Sequence, residues 1–316
     1  MFAPAIASPA VTRVGPRIAI ATCRESSPLD EDAPLLLGAL HAAGIDATEQ
    51  VWDDPDVDWA SFDMVVVRST WDYALRRDEF LDWAERVGAV TELRNPASVI
   101  RWNTDKRYLA DLDAAGVQVV PTTFLLPGEV DVLGKISSVV LPSRELVVKP
   151  TVSAGSKDTV RYAALDEDPS APDAAGAHAA ALLAAGRPVM IQPYLSAVDT
   201  AGETGLVFLG GRFSHAFRKG PLLQVGNTAV AGLYAEEAIS PRTPSEAELA
   251  VGEQTLAAFR EITGVDDELY ARVDLVPGDD GAPVLLELEL TEPSFFLATS
   301  DGAATRATAA ILAALA

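Results

Sequence analysis

Between Arg17 and Gly88, short apolar runs alternate with amphipathic stretches in a pattern that predicts strand and helix in turn. Arg17–Thr22 (RIAIAT) reads as a strand, and Asp30–Ala43 reads as a helix stopped by Gly44 at its C′ position. Ile45–Val51 and Met64–Val67 read as further strands, the second running into the polar stretch Arg68, Ser69, Thr70, Trp71, Asp72, Tyr73. Asp78–Val87 reads as a helix ended by Gly88. This β-α-β-β-α order predicts a small parallel α/β unit over 17–95. Ligands of such sheets sit beyond the carboxyl ends of the strands, which makes Arg68, Ser69 and Thr70 candidate substrate contacts. A plain surface turn is the alternative.

After Asn95-Pro96 the pattern changes. A helix is predicted over Asp105–Ala115, closing at Gly116, and strands over Val117–Leu126, Glu145–Lys149, Thr159–Ala163 and Val189–Leu195. An Ala-rich helix, Ala174–Ala185, precedes the last of these. Gly205–Leu209 and Arg212–Phe217 flank Gly210-Gly211, a link that suits a primed hairpin turn. A long helix over Ser245–Thr263 stops at Gly264, and strands at Tyr270–Val276 and Val284–Leu290 flank Asp279-Asp280-Gly281. Asp301 is expected to cap a C-terminal helix. The class is α/β, with α+β character in 96–316.

Composition narrows the function. The chain has 316 residues, 49% hydrophobic and 22% charged, enough for a sizeable core and about two domains. Its 24 basic against 46 acidic side chains give a net charge of −22, which repels phosphate backbones and anionic lipid. Nucleic acid and membrane are therefore not expected partners, and an anionic ligand must be met by a local cluster of cations. Cys23 alone cannot form an intramolecular disulfide and fits a reducing compartment, while His41, His178 and His215 show no zinc spacing. Residues 1–16 hold three prolines and read as a disordered tail rather than a targeting signal. No segment approaches the ~20 apolar residues of a membrane span. A cytoplasmic protein is the expectation; homo-oligomerisation stays open.

Only five lysines occur against nineteen arginines. Lys149 ends the apolar strand Leu146-Val147-Val148, where a buried ammonium needs an anionic partner unless it snorkels to solvent. Ser153-Ala154-Gly155-Ser156-Lys157 offers small residues, backbone N–H groups and a cation, as a loop folding over phosphates requires. It is not a P-loop, and no G-x-G-x-x-G follows a strand. Asp274 sits in one late strand, and Glu287 and Glu289 in the next. The side-chain period of two sends both glutamates to one face and Leu286, Leu288 and Leu290 to the other. Adjacent carboxylates repel unless a cation or proton separates them, and carboxylate oxygens beside a substrate phosphate are a usual magnesium set. A half-exposed strand with solvated glutamates is the bland alternative. A glycosidase-like carboxylate pair is another, but it leaves the lysines and the Gly/Ser loop unexplained.

Taken in order, seven segments resemble the ATP-grasp superfamily, in particular its glutathione-synthetase-like and ribosomal-modification-like ligases. They are Asn103-Thr104-Asp105-Lys106, Val147-Val148-Lys149-Pro150, the loop Ser153–Ser156, Ile191-Gln192-Pro193-Tyr194-Leu195, Gly202-Glu203, Arg272-Val273-Asp274 and Leu286-Glu287-Leu288-Glu289. The match runs from about Asn95 to the C-terminus, and 17–94 looks like the α/β domain that precedes the ATP-grasp region.

The resemblance implies an ATP-grasp fold with a central lid over about 122–189 and a nucleotide and metal subdomain over about 190–316. It further implies that Lys106 and Lys149 contact ATP phosphates, with Ser153, Gly155, Ser156 and Lys157 in a mobile lid. Gln192, Tyr194 and Leu195 would meet adenine, and Glu203 the ribose. Asp274, Glu287 and Glu289 would hold two Mg²⁺ ions, and Arg218 and Arg272 would sit beside the transferring phosphoryl group. Such enzymes phosphorylate a carboxylate, and an amine then attacks the acyl phosphate. Two departures separate the chain from glutathione synthetases: Glu289 replaces an asparagine ligand, and Gly205 stands where they carry a substrate-contacting arginine. The run Leu286–Ser294 resembles instead the cycloserine branch typified by O-ureido-D-serine cyclo-ligase, which implies a small amino-acid-like substrate and a place in antibiotic biosynthesis. An intermolecular ligase and a non-catalytic nucleotide-binding regulator are the competing readings.

Overall fold

The protein is described from a computed structural model over residues 15–26, 29–139, 144–226 and 237–316; most of the expected tail, 1–14, lies outside the described residues. The first unit contains β1 (Arg17–Thr22), α1 (Asp32–Ala42), β2 (Asp46–Val51), β3 (Met64–Val67), α2 (Arg77–Gly88) and β4 (Glu92–Arg94). Its sheet is parallel, in the order β2-β1-β3-β4. Both faces are covered, which is why its inner strands are apolar throughout. Ile18, Ile20, Met64 and Val66 pack in one core with α1, and Ala19, Ala21, Val65 and Val67 in another with Phe80 and Trp83 of α2. Gly44 takes φ +81° and ends α1 as expected. Gly88 does not end α2; it is the last helical residue, and Ala89 caps the helix. Three-residue β4 is too short to show an alternation in sequence.

The middle region begins with α3 (Ala97–Asn103) and α4 (Tyr108–Ala114), so the helix expected over 105–115 starts later, and Gly116 closes it at φ +88°. There follow β5 (Thr123–Leu125), α5 (Val132–Val139), β6 (Leu146–Pro150), β7 (Val160–Tyr162), α6 (Ala171–Ala184) and β8 (Val189–Pro193). The strands form an antiparallel sheet ordered β5-β8-β6-β7. Only the end of the strand expected over 117–126 joins it. Val120 instead donates its N–H to Leu285, 2.9 Å away in the third sheet.

After α7 (Val198–Ala201), that third sheet contains β9 (Glu203–Leu209), β10 (Arg212–Lys219), β11 (Ile239–Arg242), β12 (Tyr270–Pro277) and β13 (Pro283–Glu289). They are antiparallel, in the order β11-β10-β9-β12-β13. Helices α8 (Glu246–Thr263) and α9 (Ala303–Ala314) pack around it. Gly210 and Gly211 have φ of +56° and +70°, the positive values a primed hairpin needs. Ser245 and Glu248 form a capping box at the start of α8. Asp301 does not cap α9: left-handed Gly302 occupies the N-cap, and no side chain bonds the first turn.

Gly205 has a packing cause. A Cβ there would lie 2.1 Å from the ring of Phe217, directly across on β10. Gly205→Ala is accordingly expected to destabilise the fold by about 1–3 kcal/mol through overpacking, read as a lowered urea midpoint at unchanged m-value.

Two side chains lock the first unit onto the last. Asn95, fully buried, donates to the carbonyls of Tyr270 (3.0 Å) and Leu290 (2.7 Å) and accepts from Leu269 N–H (2.7 Å). Asp32, at the start of α1, accepts N–H bonds from Phe295 (2.6 Å), Phe296 (3.0 Å) and Leu297 (2.6 Å). It also pairs with Arg68 at 3.2 Å.

Candidate active site

A cavity of about 600 Å³ opens between the middle and third sheets, with the start of α1 and Trp71 at one end. Among the described residues, nine acidic and four basic side chains line it. One wall is apolar: Val120, Val147, Tyr194, Leu195, Val198 and Val276 form a single cluster. Leu286 joins them. Asp274 pairs with Glu287 but Leu275 with Leu285, so Leu286 is the extra residue of a β-bulge, turned towards the cavity rather than to the face of Leu288 and Leu290. The period-two expectation fails there because a bulge inserts one residue into the alternation.

Lys106 is 8% exposed and fixed at both ends of its reach, donating to Ser153 O (2.9 Å) and pairing with Glu287 (2.9 Å). Burial pushes its ammonium pKa down, but Glu287 outweighs this and leaves it raised. Lys149 lines the cavity and makes no ion pair among the described residues. Burial depresses its pKa, countered in part by Glu287. Arg272 is almost fully buried. It forks onto Asp274 (2.7 Å), reaches Glu289 (2.5 Å) and donates to Ser294 O (3.1 Å).

The carboxyls divide into two sets. Burial raises Glu287, but Lys106 and Lys149 outweigh it and hold the group below its usual range. Burial lifts Glu289 to about 8 despite Arg272, and Glu292 to about 7 despite Lys106. More carboxylate has been gathered here than the resident bases neutralise. Hard oxygens of this kind are the chemistry a divalent cation takes, although here Asp274 and Glu289 are drawn to Arg272 and Glu287 to Lys106, and the three do not converge on one point.

The structure brings most of the candidate residues to this one cavity. Lys106, Lys149, Ser153, Gly155, Ser156, Gln192, Tyr194, Leu195, Glu203, Arg272, Asp274, Glu287 and Glu289 all line it. Gln192 spends its side-chain amide on Thr122 Oγ1 (2.9 Å), and the Tyr194 hydroxyl donates to Asp199 (2.7 Å).

Five candidates are placed elsewhere. Lys157 follows the loop but is not part of the cavity wall. Arg218 donates to the carbonyls of Ala201 (2.7 Å) and Thr200 (3.1 Å) on the far face of β10. The alternation of that strand turns its neighbour Lys219 inward, where it pairs with Glu237 at 2.9 Å. Arg68 is 1% exposed, lies 3.7 Å over the Phe295 ring and donates to the Pro293 carbonyl, so it clasps two parts of the chain together. Ser69 shares a hydrogen bond with Thr22 (2.8 Å), and Thr70 is fully buried. Lys219, Glu237, Glu292 and Asp32 line the cavity without having been singled out in the sequence. The inward alternation of β10 offered a signal for Lys219 alone.

A family model described as the N-terminal domain of D-cycloserine synthetase DcsG matches residues 18–95. The chain is 44% identical over 294 residues to the cycloserine biosynthesis protein DcsG of Streptomyces lavendulae, covering 92% of this chain and 95% of that one. A crystal structure of D-cycloserine synthetase DcsG superposes with a TM-score of 0.87 at 41% identity, over 95% of this chain and all of that one. D-alanine–D-alanine ligase from Bacillus anthracis, in complex with ATP, shares the fold at 16% identity and a TM-score of 0.64, over 95% of this chain and 97% of that one. The α+β architecture of three sheets around this cavity is therefore the ATP-grasp fold, and the protein is an ATP-dependent ligase. Within that class, the chain belongs to the DcsG family.

Mg²⁺-ATP is expected to raise the melting temperature, because it binds only the folded state. Lys149→Ala should lose most of that gain in thermal-shift titrations; an undiminished gain would place the nucleotide elsewhere.

Proposed function

We propose that this enzyme activates the carboxylate of a small amino-acid derivative as an acyl phosphate and closes a ring by attack of the substrate's own nitrogen, an O-ureidoserine being the favoured substrate. The observation that carries the reading is the convergence of Lys106, Lys149 and Arg272 with Asp274, Glu287 and Glu289 in one cavity. The names of the relatives, a cycloserine biosynthesis protein and a D-cycloserine synthetase, support the choice of substrate. The missing arginine at Gly205 removes a feature of glutathione synthetases.

In this reading Lys106 and Lys149 neutralise ATP phosphates from the lid side, with Ser153, Gly155 and Ser156 folding over them. Gln192, Tyr194 and Leu195 flank adenine against the apolar wall, and Glu203 meets the ribose. Asp274, Glu287 and Glu289 would hold two Mg²⁺ ions, which when bound offset phosphate charge. Arg272, held by Asp274, Glu289 and Ser294 O, supplies fixed positive charge beside the phosphoryl group as negative charge develops on it.

The test is an incubation of the purified protein with Mg²⁺-ATP and O-ureido-D-serine and no second amine. ADP, phosphate and a cyclic product should accumulate together. A requirement for a separate amine would establish an intermolecular ligase instead.

A further inference from the structure

The end of the cavity nearest the first sheet is lined by carboxyls, and the cations that act on Glu292 there are Lys106 and Arg272. Beyond Arg272 it is bounded by Glu292, Trp71 and Asp30. Glu292 is held from the N-terminal unit twice over: Trp71 Nε1 donates to its main-chain carbonyl (3.1 Å), and the Tyr73 hydroxyl bonds its carboxyl. Tyr73 is itself buried and stacked on Phe80, with ring centroids 5.0 Å apart. A carboxyl pinned so firmly beside a cavity would ordinarily have a base opposite it. Among the described residues Glu292 forms no ion pair, since Lys106 is engaged with Glu287 and Arg272 with Asp274 and Glu289.

Asp30 gives an independent sign of the same deficit. It is 6% exposed, one carboxylate oxygen accepts from Asp32 N–H (3.0 Å), and the other is buried with no partner. Desolvated carboxylates without an ion-pair partner are costly; among the described residues Lys149 is the one cavity cation without an ion pair, and the charges that act on it are Glu287, Lys106, Glu203 and Lys219, not Glu292 or Asp30.

We propose that Glu292, braced by Tyr73 and Trp71 and supported by Asp30, anchors an ammonium group of the substrate, so that the enzyme selects zwitterionic amino acids and admits them carboxylate-first. The inference rests on the reading that the carboxylate is activated beside Arg272. An ammonium at this end lets one substrate present opposite charges to the two ends of its subsite: carboxylate towards Arg272, ammonium towards Glu292. Burial, which lifts the Glu292 carboxyl to about 7, would be offset by the incoming ammonium, which holds the group ionised.

The test compares carboxylates with and without an α-ammonium. ADP release is measured with O-ureido-D-serine and its des-amino analogue 3-(ureidooxy)propanoate. It is also measured with D-serine and 3-hydroxypropanoate, using hydroxylamine as the external acceptor. Wild-type enzyme should favour the ammonium-bearing member of each pair in kcat/KM. Glu292→Gln should reduce that preference roughly 100-fold, through KM for the amino acid and not KM for ATP. Glu292→Asp, which keeps the charge, should retain part of it. An undiminished preference in Glu292→Gln would overturn the proposal, as would loss of the ATP-induced melting shift in that variant, which would make Glu292 part of a nucleotide or cation site. Failure of the ring-closing reading is distinguishable: wild type would then activate D-serine for hydroxylamine yet form no ring from O-ureido-D-serine, and the ammonium comparison would still be read on the D-serine pair.

Discussion

Glu287→Gln is expected to lower turnover by about 100-fold or more while the protein still folds, with a melting temperature lowered by the uncompensated Lys106. Shape and volume are preserved, so the packing of Leu288 and Leu290 in the core beneath is untouched. What disappears is one negative charge from a buried group that both lysines of the cavity depend on. Glu287 is the ion-pair partner of Lys106 and the main influence raising the pKa of Lys149. Without it the two ammonium groups face each other with less compensation, and the donor set for a divalent cation loses a carboxylate that the lysines hold below its usual range. Steady-state ADP release at saturating ATP, beside a melting curve without ligand, checks both halves. Wild-type turnover in the variant would remove β13 from the chemistry.

Asp32→Ala is expected to be the most damaging single substitution to stability, costing about 3–5 kcal/mol. One carboxylate there satisfies three backbone N–H groups, of Phe295, Phe296 and Leu297, and the buried guanidinium of Arg68. Removing it strands a charge and three donors at once. The damage should reach the chemistry, because the same loop supplies the Ser294 carbonyl that orients Arg272. Urea denaturation should show a large fall in midpoint, and kcat should fall at temperatures where the variant is still folded. Arg68→Ala is expected to follow the same pattern more mildly, since Asp32 keeps its backbone donors. A substrate KM effect at unchanged stability would instead return Arg68 to the role its place at a strand end had suggested.

How far the chain discloses itself can be followed residue by residue. The parallel unit was legible because β1 and β3 are buried on both faces, which leaves unbroken apolar runs bounded by Gly44 and polar turns. Lys149, Asp274, Glu287 and Glu289 were legible because each charge interrupts or ends an apolar stretch, whereas Lys106, in the polar run Asn103-Thr104-Asp105-Lys106, stood out only through the family resemblance. Arg68 has that same signature, and it misleads. A strand-end arginine can serve a ligand or a neighbouring loop, and only the return of Pro293 and Phe295 to this place decides between them. Arg218 and Lys219 differ by one position on β10, and the face that meets the cavity is set by pairing with β9 and β11. Leu286 escaped because a bulge has no sequence mark of its own. Glu292, Asp30 and Asp32 gain their meaning from contacts between units far apart in the chain, which no local pattern encodes.

Transfer of oxygen from carboxylate to phosphate distinguishes acyl-phosphate activation from any other route. O-ureido-D-serine labelled with ¹⁸O in its carboxylate is incubated with the enzyme and Mg²⁺-ATP, without any other amine, and the released phosphate is weighed by mass spectrometry. Activation as an acyl phosphate followed by internal attack moves one labelled oxygen into each phosphate while the cyclic product forms. Unlabelled phosphate released alongside that product, or no ADP until a second amine is added, would contradict it.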